Sequence, residues 1–230
     1  MAASAPLIEW LHAATNRINL LDLPVRRLLA VDGLGQPRGI VFTESADALR
    51  EVMHLIAARH RAESHERGPS AHLEALWWVG EPGTEHGSAT TRLDRARQSA
   101  PAESLRWRLM LEIPGTVSDD EVHEAIERAR TERHDRLGLD RIELGRLDEG
   151  RCAQILHVGD PAAESTTLER LESGVTREGY RLLGPHHEIY LSDIRLTEPG
   201  HWRLIIRYPV ERVEGYATIA APAEIPVPDR

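Results

Sequence analysis

The chain has 230 residues, of which 41% are hydrophobic and 28% are charged, the balance of an ordinary globular protein. Its net charge of −9 excludes a nucleic-acid partner held mainly by phosphate contacts, and its single cysteine excludes an internal disulfide or a zinc site built from thiolates. No apolar run reaches the roughly 20 residues of a membrane helix, and the N-terminus lacks a signal-peptide pattern. We therefore expect a soluble, cytoplasmic protein with no direct nucleic-acid or membrane partner.

The first half of the chain predicts one strand, one helix and two further strands. In chain order these elements are a strand at 28–33, a helix at 45–61, and strands at 72–79 and 105–113. Ser45 is the expected N-cap of the helix. A polar segment rich in Gly, Ser, Thr and Pro, residues 80–104, predicts a long loop that could cover a cleft. Ser118 and Glu121 then have the spacing of a capping box and predict the start of a second helix.

The second half follows the same order of elements. It predicts strands at 141–147 and 151–158, a helix at 166–177, and strands at 186–192 and 202–210. The chain therefore divides into an N-terminal extension (1–27), a first repeat (28–113), a linking helix and strand (114–150), a second repeat (151–210) and a tail (211–230). We predict an α+β fold in which two strand–helix–strand–strand units form a pseudo-two-fold pair of sheets with a central cleft.

The strand at 186–192 carries the most informative side chains. Because side chains alternate across a strand, Glu188 shares one face with Tyr190, while His187 lies on the other face. Aligning the two repeats by their carboxylates matches Glu74 with Glu188. Trp78 is four residues after Glu74 and therefore shares its face of the strand. In that alignment both residues lie on the face that is equivalent to the Glu188 face.

Five stretches of the chain resemble the GyrI-like small-molecule-binding family. They are 73–78 (LEALWW), 106–110 (RWRLM), 152–159 (CAQILHVG), 186–193 (HHEIYLSD) and 205–210 (IIRYPV). The resemblance covers about residues 28–210, and its most specific motif is HHEIYLSD. It implies a duplicated strand–helix–strand–strand fold, in agreement with the repeat, and a central pocket that has aromatic walls and an acidic residue at its floor.

The resemblance also implies which residues form that pocket. By position, Glu188 matches the pocket glutamate of the family, and four residues match its aromatic positions: Tyr190, Trp77, Trp78 and Trp107. The chain departs from the family where a Gly-Pro-Tyr sequence is common, because residues 159–161 are Gly-Asp-Pro. Domains of this family serve as effector-binding parts of multidrug-sensing regulators, and one subfamily hydrolyses the cyclopropane of DNA-alkylating natural products.

These residues have two kinds of predicted role. Glu188 either pairs with a cationic ligand or orients a water molecule for attack, and Tyr190 donates its hydroxyl to a ligand carbonyl. The predicted ligand-binding set is Trp78, Trp107, Trp77, Glu74 and His187. At most one of the adjacent Trp77 and Trp78 lines the cleft, and Trp107 is either a pocket or a core residue.

No metal and no cofactor is predicted, because adjacent histidines on a strand point apart and chelate one ion poorly. We predict a stand-alone protein that binds a hydrophobic, planar, drug-like molecule. The first alternative is a hydrolase that opens a cyclopropane and protects the cell, with Glu188 directing water. The second is an effector-sensing subunit of a regulator.

Overall fold

The computed structural model describes residues 17–37, 39–64, 72–79, 104–133, 136–160, 163–193 and 196–214. Within them the chain forms nine strands and three α-helices, which confirms the α+β class. In chain order these are β1 (Asn19–Asp22), β2 (Arg26–Leu34), α1 (Ile40–Ser64), β3 (Glu74–Val79), β4 (Leu105–Glu112), α2 (Asp119–Glu132), β5 (Glu143–Leu147), β6 (Arg151–Val158), α3 (Glu164–Arg177), β7 (Tyr180–Leu182), β8 (His186–Tyr190) and β9 (Arg203–Arg212). Among these residues no helix is both long and apolar enough to cross a membrane.

The two predicted repeats are present as units of the same element order. The first is β2-α1-β3-β4, and the second is β6-α3-β8-β9 with the short β7 inserted before β8. The strands lie in the order β1-β6-β9-β8-β3-β4-β2-β5, so β3 and β8 pair at the centre and the order is mirrored on either side of them. The units therefore share one antiparallel sheet, where the sequence suggested a pair of sheets.

Two short connections show that this sheet is strongly curved. Three residues link β5 to β6, and three link β1 to β2, although each of these pairs is six strand positions apart in the sheet. In a flat sheet the pairs would be about 29 Å apart, at about 4.8 Å per strand. A link of three residues spans at most about 15 Å. The sheet must therefore curl until its two ends approach each other.

Helices α1 and α3 pack on one face of the sheet and cover the main hydrophobic core. Leu29, Leu109 and Ile206 belong to this face, and all three are fully buried. The opposite face carries two small apolar clusters, centred on Met110 and Ile189, with buried charged residues between them. We call these the helix face and the opposite face.

Most of the predicted elements occur within a few residues of their expected bounds. The capping box at Ser118 is present, with Glu121 N donating to Ser118 Oγ and Glu121 accepting from Ser118 N. The N-cap prediction at Ser45 is wrong: α1 begins five residues earlier, because Thr43 N already donates to Gly39 O and Phe42 packs into the aromatic core. Residues 80–103 of the predicted loop, and the tail from 215, lie outside the described residues.

Candidate functional site

Glu188 lies at the centre of the sheet, on the helix face. Its strand β8 pairs with β3 of the first repeat and β9 of the second, and its ladder partners are Ala75 and Ile206. The residue is 1% exposed. An ionised carboxylate at such a position is costly unless hydrogen bonds compensate for the lost water.

Three donors supply that compensation. Tyr190 OH and Trp77 Nε1 donate to Glu188 Oε2, the latter at 3.0 Å. The Nε2 of His186 lies 3.1 Å from Glu188 Oε1. Tyr190 and His186 stand two residues on either side of Glu188 on the same strand face, so the alternation of one strand builds most of this arrangement.

His186 is held by polar groups at both ring nitrogens. Its Nδ1 lies 2.7 Å from the Tyr208 hydroxyl, and its Nε2 lies 3.2 Å from Glu164 Oε1 as well as near Glu188. Burial alone lowers the pKa of His186, but hydrogen bonds and charges from Glu164 and Glu188 outweigh it and raise that pKa to about 9. The raised pKa favours the imidazolium form at neutral pH, and in that form each ring N–H has an oxygen within hydrogen-bond distance.

An aromatic cluster adjoins the carboxylate. The Phe42 ring of α1 stacks on Trp77 with centroids 5.5 Å apart, and it meets Trp107 edge-on at 5.4 Å. Trp107 is the ladder partner of Trp77, so both indoles lie on the helix face. Gly33 makes room for Trp107, since a Cβ there would come within 2.1 Å of the indole ring. The cluster fixes the indole that donates to Glu188.

The structure corrects the faces of three predicted ligand-binding residues. Residues paired across an antiparallel ladder share a face, and Glu188 pairs with Ala75, so Ala75 and Trp77 lie on the Glu188 face. Glu74 and Trp78 consequently lie on the opposite face, together with His187. Trp77, and not Trp78, is the tryptophan beside Glu188. Aligning the repeats by their glutamates shifted the register by one residue, which exchanges the two faces.

Glu74 and His187 belong instead to a buried group that we call the opposite-face ion cluster: Arg26, Glu74, Glu149, His187 and Arg207. Arg26 forms a two-point contact with Glu74 at 2.8 and 2.9 Å. His187 lies between Glu74, at 2.9 Å, and Glu149, at 2.7 Å. Burial would raise the pKa of Glu74 and Glu149, but the neighbouring cations hold both pKa values well below the usual range, that of Glu149 at about 2. Every member of the cluster has a partner of opposite charge.

Sequence reasoning missed three residues of the site: His186, Glu164 and Tyr208. His186 could have been found, because it stands in the same alternation as Glu188 and Tyr190. Glu164 and Tyr208 could not, since only the packing of α3 and β9 brings them to His186.

Within the described residues, Glu164, His186 and Glu188 also form a group whose ligand atoms lie within 4.8 Å of one another. That spacing would suit a metal ion. The same contacts are those of an ion pair, since both His186 nitrogens face oxygens and the two carboxylates raise the pKa of His186.

Comparison with known proteins found a family model and several solved structures that this chain resembles. A family model for the GyrI-like small molecule binding domain matches residues 111–211. A structure described as an uncharacterized conserved protein from Listeria innocua is 26% identical and covers 88% of this chain and 96% of its own, with a TM-score of 0.73.

A second structure from that organism, described as a hydrolase, is 26% identical and covers 89% of this chain and 97% of its own, with a TM-score of 0.70. A third, also described as a hydrolase from Listeria innocua, is 25% identical, covers 88% and 96%, and has a TM-score of 0.70. A comparison with curated proteins gave no match. The resemblance seen in the sequence is thereby confirmed over residues 111–211, which include Glu188 and Tyr190 and are similar to the GyrI-like small molecule binding domain.

Proposed function

We propose that the protein is a hydrolase that opens a strained, electrophilic ring in a planar small molecule, with Glu188 directing the attacking water. The observation that carries this proposal is the arrangement around Glu188. Its carboxylate is buried and held in place by Tyr190, Trp77 and His186, as a general base must be if it is to act on one water. The two similar structures described as hydrolases, which this chain matches over nearly nine tenths of its length, support the same reaction class.

The chemistry is clearest for a cyclopropane conjugated to a carbonyl. Glu188 takes a proton from water as the water oxygen bonds to a ring carbon. The ring C–C bond breaks, and its electron pair moves through the conjugated system to the carbonyl oxygen. Tyr190 donates its proton to that oxygen and recovers one from Glu188, to which it is already hydrogen-bonded. The sum is addition of one water, with no oxidant or cofactor consumed.

Tyr190 is the residue of this group that would meet the substrate, because it is the most exposed of the four. It is 6% exposed, whereas Glu188, His186 and Trp77 are exposed by 1% or less. A phenol donor aimed at the developing oxyanion stabilises the transition state more than the neutral carbonyl.

Binding without turnover is the second candidate, because the family match itself supports small-molecule binding. A planar cationic ligand is the less suitable occupant, since the raised pKa of His186 favours an imidazolium that already pairs with Glu188. We therefore propose a neutral, hydrophobic and electrophilic ligand.

Mass spectrometry of the ring-opened product tests the proposal. Purified protein is incubated with a conjugated cyclopropanoid alkylator, and wild type is compared with Glu188→Gln and with Glu169→Gln, an exposed glutamate of α3 that serves as the matched control. We expect turnover in wild type and in the control, and a loss of roughly 10²–10⁴-fold in Glu188→Gln. Full activity of Glu188→Gln would overturn the role of Glu188, and tryptophan quenching by ligand without any product would support the binding candidate.

A further inference from the structure

We propose that Glu164, His186 and Glu188 bind one divalent transition-metal ion such as Zn²⁺, with Glu164 Oε1, His186 Nε2 and Glu188 Oε1 as its ligands. Imidazole and carboxylate groups are common ligands of Zn²⁺ in proteins, and a site with three protein ligands keeps a coordination position for water. The metal site goes beyond the proposed hydrolysis, and its test needs no substrate.

The spacing of the three ligand atoms is that of a single coordination shell. His186 Nε2 lies 3.2 Å from Glu164 Oε1 and 3.1 Å from Glu188 Oε1. Two atoms that bind one ion at about 2.1 Å, at angles between roughly 90° and 109°, lie about 3.0–3.4 Å apart. The carboxylate ligand atoms lie within 4.8 Å of each other, and one ion spans about 4.2 Å between opposite ligands. A shift of at most about 0.6 Å therefore brings all three atoms into contact with the ion.

Neighbouring residues hold two of the ligands in the orientation that a metal ion requires. The Tyr208 hydroxyl lies 2.7 Å from His186 Nδ1, and its ring meets the imidazole edge-on, so a proton on Nδ1 has an acceptor while the Nε2 lone pair points to the carboxylates. Tyr190 and Trp77 both donate to Glu188 Oε2, so that Oε1 is the oxygen that faces the ring. Metal ligands in proteins are typically anchored by such hydrogen bonds on the side away from the metal.

The charge of this buried group favours a divalent cation. Each of the three side chains is at most 3% exposed, so water compensates little of their charge. Two carboxylates and one imidazolium leave one negative charge among them, and the single proton on Nε2 can point at only one of the two oxygens. A divalent ion beside a neutral ring makes the group neutral and contacts both oxygens.

The ligands come from two elements that only the fold brings together. His186 and Glu188 alternate along β8, whereas Glu164 is the first residue of α3, which packs on β6 and β7. The sequence prediction of no metal considered His186 with the adjacent His187, and those two rings do lie on opposite faces. It did not consider a carboxylate from α3.

A proton is the alternative occupant of the position between Nε2 and the two carboxylates. The raised pKa of His186 shows that these carboxylates favour a positive charge on the ring. A metal ion requires a neutral imidazole, so its binding displaces that proton. The imidazolium therefore describes the metal-free protein, and the ion takes its place when metal is supplied.

Titration of the metal-free full chain with Zn²⁺ tests the site. The protein is dialysed against a chelator, zinc binding is followed by isothermal titration calorimetry, and bound zinc is counted by mass spectrometry. We expect one Zn²⁺ per chain and a thermal unfolding midpoint that rises with zinc concentration. Mg²⁺ and Ca²⁺, which prefer oxygen ligands, should not compete. Absence of zinc binding by wild type would overturn the proposal.

Matched variants locate the bound ion. Glu164→Gln and His186→Asn should each weaken zinc binding by more than about 100-fold, beyond the range for a residue that only orients a ligand. Glu169→Gln in α3 and His123→Asn in α2 make the same changes at exposed positions and should bind zinc as wild type does. Unchanged affinity in Glu164→Gln and His186→Asn would place the ion elsewhere and overturn the proposal.

Tyr208→Phe decides the matter if the ligand variants do not fold. It keeps the aromatic ring against His186 and removes only the hydroxyl at Nδ1, so we expect zinc affinity to fall by about 10–100-fold. Unchanged affinity in this variant would overturn the proposal. The outcome is separate from that of the proposed function, because absence of zinc binding leaves the product assay of Glu188→Gln standing, and absence of product leaves the zinc titration standing.

Discussion

Trp77 of the first repeat donates its indole N–H to Glu188 of the second repeat, across the central β3–β8 ladder and at 3.0 Å. The carboxylate at the centre of the site is thus oriented by both halves of the duplicated fold: by Trp77 from one half, and by Tyr190 and His186 from the other. The candidate site depends on the pairing of the two units and is not a property of either unit alone.

Trp77→Phe tests the contribution of that hydrogen bond. The variant keeps an aromatic ring for Phe42 to stack on but removes a donor to a buried carboxylate, which costs about 1–3 kcal/mol. We expect the free energy of unfolding in urea to fall by that amount and kcat/KM to fall with it. Trp78→Phe is the matched control, since it changes the adjacent residue on the opposite face. Equal losses of kcat/KM in the two variants would contradict the placement of Trp77 at the site.

Tyr190→Phe separates the proposed proton donor from the fold. The ring and its packing are retained, and only the hydroxyl that donates to Glu188 is lost. We expect kcat to fall by roughly 10²-fold, the low end for loss of a general acid, with a smaller change in KM. Stopped-time product assays at saturating substrate measure it. A variant that loses ligand affinity but keeps kcat would indicate that Tyr190 binds substrate without taking part in proton transfer.

The sequence predicted faces within a strand correctly and faces between strands incorrectly, for a physical reason. Alternation is a local property of the backbone, so Glu188, Tyr190 and the opposite position of His187 follow from the β8 sequence alone. The register of β3 against β8 is set by long-range packing, and a shift of one residue exchanges every side chain between faces. Aligning the repeats by their glutamates made that shift, and it put Trp78 and Glu74 on the face equivalent to the Glu188 face, where the structure has Trp77.

Glu149→Gln tests the opposite-face ion cluster. Glu149 lies on the three-residue link between β5 and β6, where it contacts His187 at 2.7 Å, Arg26 at 3.1 Å and Arg207 at 3.5 Å. Those cations come from β2, β8 and β9, so the carboxylate ties the curved sheet together at the point where its ends approach. Removing one member of a buried charge group leaves the others uncompensated, and we expect a loss of about 3–5 kcal/mol in unfolding free energy.

Asp148→Asn is the control for this loss, because it makes the same chemical change at the neighbouring, exposed position of the link. It should alter the unfolding free energy by less than about 0.5 kcal/mol. A loss in Glu149→Gln no larger than that of the control would mean that the cluster contributes nothing to stability.

The unfolding free energy of the metal-free protein should be largest between about pH 4.5 and 6.5 and should fall on both sides of that range. Folding lowers the pKa of two buried glutamates and raises the pKa of two buried histidines. The pKa values of Glu74 and Glu149 are lower in the folded protein than in the unfolded chain. Their contribution is therefore present above about pH 4.5 and is lost as the pH falls toward 2. The pKa of His186 is raised to about 9, and that of His187 is raised by Glu149 and Glu74 against the effect of burial. Their contribution is complete below about pH 6.5 and is lost as the pH rises through the folded values.

Urea unfolding at pH 5.5, 7.5 and 9 measures the alkaline side of this dependence. A rise in the His186 pKa from 6.5 to about 9 corresponds to roughly 3 kcal/mol that disappears over the interval. Glu164→Gln should lose part of this pH dependence, because removing the charge of Glu164 lowers the pKa of His186 in the folded protein. Glu169→Gln should match wild type. Equal stability of wild type at pH 5.5 and pH 9 would show that neither buried histidine is held in its charged form, and it would remove the physical basis for an ionised Glu188 beside an imidazolium.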